Sequence, residues 1–154
     1  FLAAVGKDGD PALMCQLYQT SLGEDCTPIH DALRVCRILY ERGYKLSIIT
    51  NGRSTTQHSR LSHSELTTMI SDLFISEELG CQKPKKEFFD VVLSKLQIPT
   101  SKALVIGDSL TSDIIGGIQY GIDTCWFNPK EAVNTMLQKP TYEIKQLNEL
   151  LSIL

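Results

Sequence analysis

Apolar side chains at Ile29, Leu33, Cys36, Leu39 and Tyr40 recur three and four residues apart, the period of an amphipathic helix, and Gly43 offers the positive φ that stops one. Thr27-Pro28 ahead of them reads as an N-cap followed by proline at the first helical position, where the missing N–H does no harm. Residues 45–50 form a short β-prone run closing on Asn51-Gly52, so a strand follows the helix with almost no loop. Residues 56–68, polar on one side, predict another helix, leading into a second strand at 73–76. Beyond residues 80–84, Phe88, Phe89, Val92 and Leu96 share one face of a helix that stops before Pro99.

Residues 103–107 are continuously apolar, as in a strand buried on both faces of a parallel sheet. They run into Asp108-Ser109-Leu110-Thr111-Ser112-Asp113 and a helix bearing Ile114, Ile115 and Ile118. Gly116-Gly117 in that helix permits close approach to the sheet, and Gly121 ends it. A strand at 124–127, an edge strand at 142–144 and a closing helix of Leu147, Leu150, Leu151 and Leu154 complete the series. Helix alternating with short buried strand predicts an α/β fold with a doubly wound parallel sheet. Residues 1–25 differ: they look helical but are broken at Gly6 and at Gly9-Asp10-Pro11, with a second helix at 12–22. A boundary near residues 25–28 therefore separates a helical piece from the α/β body.

Composition narrows the function classes. The chain has 154 residues, 42% hydrophobic and 21% charged, and a chain of this size buries roughly 68–70% of its unfolded surface, so it needs no disulfide or metal to hold a core. Its 15 Lys+Arg against 18 Asp+Glu give a net charge of −3. The cations are scattered without a basic stripe, which argues against a nucleic-acid partner, whereas a small anion needs only one or two of them. No run approaches ~20 apolar residues, so no membrane span is expected. Phe1-Leu2-Ala3-Ala4-Val5 is too brief and unbasic for a signal peptide. Cys15, Cys26, Cys36, Cys81 and Cys125 are odd in number and lack a CxxC pair or zinc spacing, so they read as reduced, small buried hydrophobes of a cytoplasmic protein.

Ligands of open parallel sheets bind beyond the carboxyl ends of the strands. That rule selects Thr50-Asn51-Gly52, Lys83-Pro84, and Asp108 with Asp113. Two carboxylates at this spacing suit a hard cation such as Mg²⁺, a lysine neutralises phosphate, and a threonine hydroxyl with strand-end N–H groups donates to phosphoryl oxygens. Plainer readings stand beside each: a strand-to-turn transition at Thr50, a solvated lysine beside Lys85 and Lys86, and a βα turn capped by Ser109 or Thr111 with Asp113 in its first turn. The order of all three groups, each at a strand end, favours chemistry.

Ser47-Ile48-Ile49-Thr50-Asn51-Gly52, residues 75–84 ending in Lys83-Pro84, and Val105-Ile106-Gly107-Asp108 through Asp113-Ile114 resemble the second, third and fourth motifs of the haloacid dehalogenase-like hydrolases. Residues 116–121 with Thr124-Cys125-Trp126-Phe127-Asn128-Pro129 are similar to the branch holding pyrimidine-type 5′-nucleotidases. The resemblance covers roughly residues 28–154. It implies a Rossmann-like core and a Mg²⁺-dependent phosphatase of a small phosphorylated substrate, a nucleoside 5′-monophosphate in that branch, acting through a phosphoaspartate. Thr50 and Asn51 would bind the transferring phosphoryl group, with Gly52 and Lys83 also on the substrate. Lys83 would stabilise the intermediate, Asp108 would ligand Mg²⁺, and Asp113 would complete or support the metal site. Residues 1–25 would end a helical cap, and 26–154 would form the core.

The family's first motif, an Asp-x-Asp strand carrying the nucleophile, has no counterpart. Asp8-Gly9-Asp10 is followed by proline and preceded by no apolar strand. That strand lies mid-sheet in the family, between those ending at Gly107 and Thr50, so a gap in the core is expected, and the chain alone is expected to be inactive. Phe1 then reads as a break within a longer hydrolase; the alternative is a remnant without turnover. Gly107-Asp108-Ser109-Leu110 also spells an esterase signature, but His30, His58 and His63 all precede Ser109, so a triad with a late histidine cannot be built.

Overall fold

Parallel pairing of short apolar strands builds two sheets in the computed structural model, which describes residues 9–24 and 26–154. In one, β1 (Leu46–Thr50) pairs with β2 (Ile70–Ile75), Ile48 facing Leu73 and Thr50 facing Ile75. In the other, β3 (Leu104–Gly107), β4 (Asp123–Phe127) and β5 (Tyr142–Ile144) lie in that order, with Gly107 opposite Trp126 and Phe127 opposite Ile144. Parallel strands need crossovers, which helices supply. These are α3 (Ser54–Ser62) between β1 and β2, α4 (Ser76–Leu79) and α5 (Lys86–Leu96) before β3, and α6 (Ile115–Tyr120) before β4. Before them come α1 (Pro11–Glu24) and α2 (Ala32–Glu41), and α7 (Leu150–Ile153) closes the chain.

Core residues divide by strand parity. Val105 packs with Phe74, Phe88, Phe89, Val92 and Leu93, whereas its neighbour Leu104 packs with Val35, Leu39, Cys125, Ile144 and Leu150. Successive strand residues face opposite ways, so α5 covers one face of the sheet and α2 with α7 the other. This is the doubly wound arrangement the sequence predicts. Gly116-Gly117 makes the close approach expected of it: a Cβ on Gly116 would lie 2.6 Å from the Phe89 ring, and one on Gly117 2.5 Å from the Thr124 methyl.

Among the described residues the two sheets share no hydrogen-bonded strand pair. Between β1 and β3 lies a cavity of about 540 Å³ lined by Leu46, Ile48, Val92, Leu96, Leu104 and Ile106, among others. It corrects one expectation. Strand β3 is not buried on both faces: Val105 is, but Ile106 is 38% exposed.

Several boundaries move for local reasons. Helix α2 starts at Ala32 and not at Pro28, because Asp31 takes a left-handed conformation (φ 64°) after a turn closed by Ala32 N–H on the Ile29 carbonyl. Ile29, expected on the buried face, is exposed. The helix predicted at 56–68 is two pieces, α3 and a 3-10 turn Glu65–Thr68, separated where the Ser64 side chain accepts from Leu66 N–H. Ahead of α1, the Asp10 carboxylate accepts from Ala12 N–H at 2.8 Å, so Asp10 serves as a helix cap. The helix read in the first residues, and Asp8, lie outside the described residues. No described helix is long and apolar enough to cross a membrane. All five cysteines are free thiols; only Cys125 is fully buried, and Cys15 is exposed.

Candidate functional site

Each candidate residue stands at or just beyond the carboxyl end of a strand. Thr50 ends β1, Lys83 lies in the loop after β2 and α4, and Asp108 follows Gly107 at the tip of β3. Asn51 joins the first two: its side-chain Nδ2 donates to the Lys83 carbonyl at 2.8 Å, and Lys83 N–H donates to Asn51 Oδ1 at 2.9 Å. One amide side chain thereby holds the backbone of a loop 32 residues away. The Lys83–Pro84 peptide bond in that loop is cis.

Lys83 is not the solvated cation of the plainer reading. It is 7% exposed, and its Nζ donates to the Ile49 carbonyl and to Asp113 Oδ1, each at 2.7 Å. An ammonium carries three N–H bonds, so one remains for a further acceptor. Burying a charge is unfavourable unless it is paired and hydrogen-bonded, and here both conditions hold.

Asp113 is equally buried and uses both carboxylate oxygens: Oδ1 accepts from Lys83, and Oδ2 accepts from Ser109 N–H at 3.2 Å. The backbone makes room for it. A Cβ on Gly107 would collide with the Asp113 carboxylate, so the strand must end in glycine for the aspartate to fold back over it. Ser109 does cap the following turn, its Oγ accepting from Ser112 N–H at 3.2 Å. That turn, Leu110–Ile114, is π-type and leads directly into α6.

Asp108 is exposed, and among the described residues its carboxylate has no partner. The same holds for the Thr50 hydroxyl, which is half-buried. The free oxygens of Asp108 suit a hard cation, and Mg²⁺ is commonly held by one or two carboxylates while keeping several waters and taking phosphate oxygens. The described residues include no cluster of three His, Cys, Asp or Glu that would cage a metal alone. The donor set therefore fits one protein ligand of an Mg²⁺ shell completed by other groups.

Two acidic residues after β2 fasten the loop after β1. Glu77 Oε2 accepts from Ser54 N–H at 2.7 Å, and Glu78 Oε1 accepts from Ser54 Oγ at 2.5 Å and lies 2.7 Å from His58 Nε2. Hydrogen bonds from Ser54 and His58 hold the Glu78 carboxyl below its usual range. Residues 51–53 are thus fixed at both ends, by Asn51 on Lys83 and by Ser54 on the glutamates. A Cβ on Gly52 would meet the Gln57 side chain.

Neither Gly107 nor Trp126 figures among the functional residues read from sequence. Trp126 is buried, and its Nε1–H donates to the Asp108 carbonyl at 3.0 Å. The signal available was the single tryptophan of the chain, on the strand after the Asp108 motif.

The family profile described as haloacid dehalogenase-like hydrolase matches residues 4–127. The HAD-hydrolase YfnB of Bacillus subtilis (strain 168) is 43% identical over 154 residues, covering 99% of this chain and 65% of that protein. The pyrimidine 5′-nucleotidase PynA of Streptococcus pneumoniae is 37% identical over 150 residues, covering 97% of this chain and 63% of that protein. A crystal structure of Bacillus subtilis YfnB bound to magnesium superimposes with a TM-score of 0.92 at 42% identity, covering 99% of this chain and 67% of that one. The chain thus spans about two thirds of the length of these relatives.

Proposed function

Because the chain belongs to the haloacid dehalogenase-like hydrolase family, we propose that its strand-end residues bind and transfer the phosphoryl group of a small phosphorylated metabolite, a nucleoside 5′-monophosphate, in a Mg²⁺-dependent phosphatase. The buried Lys83 carries this reading. A paired ammonium, at strand ends that also carry a threonine hydroxyl and a carboxylate without partners among the described residues, matches a phosphoryl group in transfer, where catalysis is mostly positioning and charge neutralisation.

In this reading the Thr50 hydroxyl and the N–H groups of Asn51 and Gly52 donate to non-bridging oxygens, and Lys83 faces the charge that develops on them. Asp108 contributes a carboxylate to Mg²⁺, which when bound offsets phosphate charge. Asp113 keeps Lys83 aimed and holds the turn after Asp108. The nucleophilic carboxylate belongs to an Asp-x-Asp strand that is not among these residues. The apolar cavity flanked by β1 and β3 is where such a strand would pair, with residues 26–154 as the core and α1 as part of a cap. The nucleotide class rests on the likeness to PynA, and reduced thiols suit the cytoplasm.

The test is phosphate release from a panel of nucleoside 5′-monophosphates and sugar phosphates, with and without Mg²⁺, by a protein carrying these residues behind the Asp-x-Asp strand. Turnover abolished by Lys83→Ala and Asp108→Asn supports the assignment. Unchanged turnover in both variants, or no turnover on any phosphomonoester, refutes it.

A further inference from the structure

The peptide group linking Asp108 to Ser109 is held at both of its polar atoms. Its carbonyl accepts from Trp126 Nε1–H at 3.0 Å, and its N–H donates to Asp113 Oδ2 at 3.2 Å. In a trans peptide these atoms point in opposite directions, so the two bonds grip the plane from either side. A gripped plane fixes the backbone torsion on the carbonyl side of Asp108, and with it the direction in which the Asp108 side chain leaves the chain. We propose that Trp126 is a positioning residue for Asp108, its indole N–H setting the aim of the carboxylate that meets the divalent cation. This rests on the reading of Asp108 as a metal ligand.

Packing by itself does not demand this bond. Trp126 is 3% exposed on β4, directly opposite Gly107 in the parallel register, and a phenylalanine would fill much of the same volume. What tryptophan adds is a donor with no acceptor capacity, which when buried takes a partner. The partner is the carbonyl of the one strand-end acidic residue whose carboxylate is otherwise free among the described residues. On the other side Asp113 grips the same peptide while also holding Lys83, which in turn holds the Ile49 carbonyl of β1. Trp126 is therefore the outer end of a chain of hydrogen bonds from β4 through the Asp108 peptide to β1. Metal ligands whose orientation depends on such outer partners lose affinity when the partner is removed.

The chain has one tryptophan, so replacing tryptophan throughout with β-(3-benzothienyl)alanine, which carries sulfur in place of the indole N–H, changes one donor and little else. Mg²⁺ binding is read by titration calorimetry in the presence of inorganic phosphate, which supplies further oxygens of the shell, on the unmodified protein, the analogue protein, Trp126→Phe and Asp108→Asn. The expected result is a Kd for Mg²⁺ raised about 3- to 10-fold in the analogue protein and in Trp126→Phe, the loss of one neutral hydrogen bond. The melting temperature without metal should fall by no more than a few degrees in the analogue protein, so both proteins are titrated folded. Mg²⁺ binding that Asp108→Asn abolishes but the analogue leaves unaltered overturns the role of Trp126 alone. Absence of any Asp108-dependent Mg²⁺ binding overturns the reading of Asp108 as a ligand, and this inference with it.

Discussion

Lys83 and Asp113, 30 residues apart, form an ion pair of 2.7 Å with side chains 8% and 10% exposed. It ties the loop after β2 to the turn after β3, and so links the two sheets. Removing either partner leaves a charge buried alone, which costs about 3–5 kcal/mol. Lys83→Met and Asp113→Leu should each lower the urea midpoint accordingly. The double variant should lose less than the sum, because both singles break one interaction.

Gly107→Ala should be more damaging than Gly52→Ala. The first puts a Cβ into the Asp113 carboxylate, which two hydrogen bonds hold in place, and should cost about 1–3 kcal/mol. The second meets the flexible end of Gln57, which can move aside. Paired urea denaturation curves compare them.

Acid should loosen the clasp of α4 on α3. The Glu78 carboxyl is held below its usual value in the folded chain by Ser54 and His58, so its contribution to stability is complete above the unfolded value, near 4.5, and is lost as pH falls through the folded one. A stability series from pH 6 to pH 3 should fall more steeply for the unaltered chain than for Glu78→Gln. Parallel curves would contradict the clasp.

Thiol reactivity should follow burial. Burial holds Cys125 neutral by pushing its thiol up to about 11, while Cys15 is exposed. Iodoacetamide on the folded chain at neutral pH should modify Cys15 and spare Cys125, as read by peptide mass mapping. Because the folded thiol sits above the unfolded value of 9.0, the protonated form favours the fold, and that contribution fades as pH rises from about 9 towards 11.

The order of elements and the strand-end positions of Thr50, Lys83 and Asp108 are legible in the sequence because they follow from hydrophobic period and from the rule that sheets bind ligands at carboxyl ends. The start of α2 was not, since Thr27-Pro28 carries a strong local signal that the left-handed Asp31 overrides. Nor was the distinction between the two aspartates. Spacing makes Asp108 and Asp113 look like a pair of equals, and only geometry shows that Lys83 and Ser109 each bond one oxygen of Asp113 while the Asp108 carboxylate has no partner among the described residues. Trp126 reads as strand and as part of the run resembling the nucleotidase branch, and not as a partner of the Asp108 peptide, because a bond from a side chain to the backbone 18 residues away leaves no periodic trace.

The central claim is that the strand ends carrying Thr50, Lys83 and Asp108 receive a phosphoryl group. The most direct test is an amide NMR titration of the chain with inorganic phosphate in the presence of Mg²⁺. The account predicts shifts at the N–H groups of Asn51, Gly52, Lys83 and Ser109, none at Leu46 or Leu104 at the far ends of the same sheets, and loss of the response in Lys83→Ala. Shifts scattered away from these strand ends, or a response that Lys83→Ala leaves intact, would contradict it.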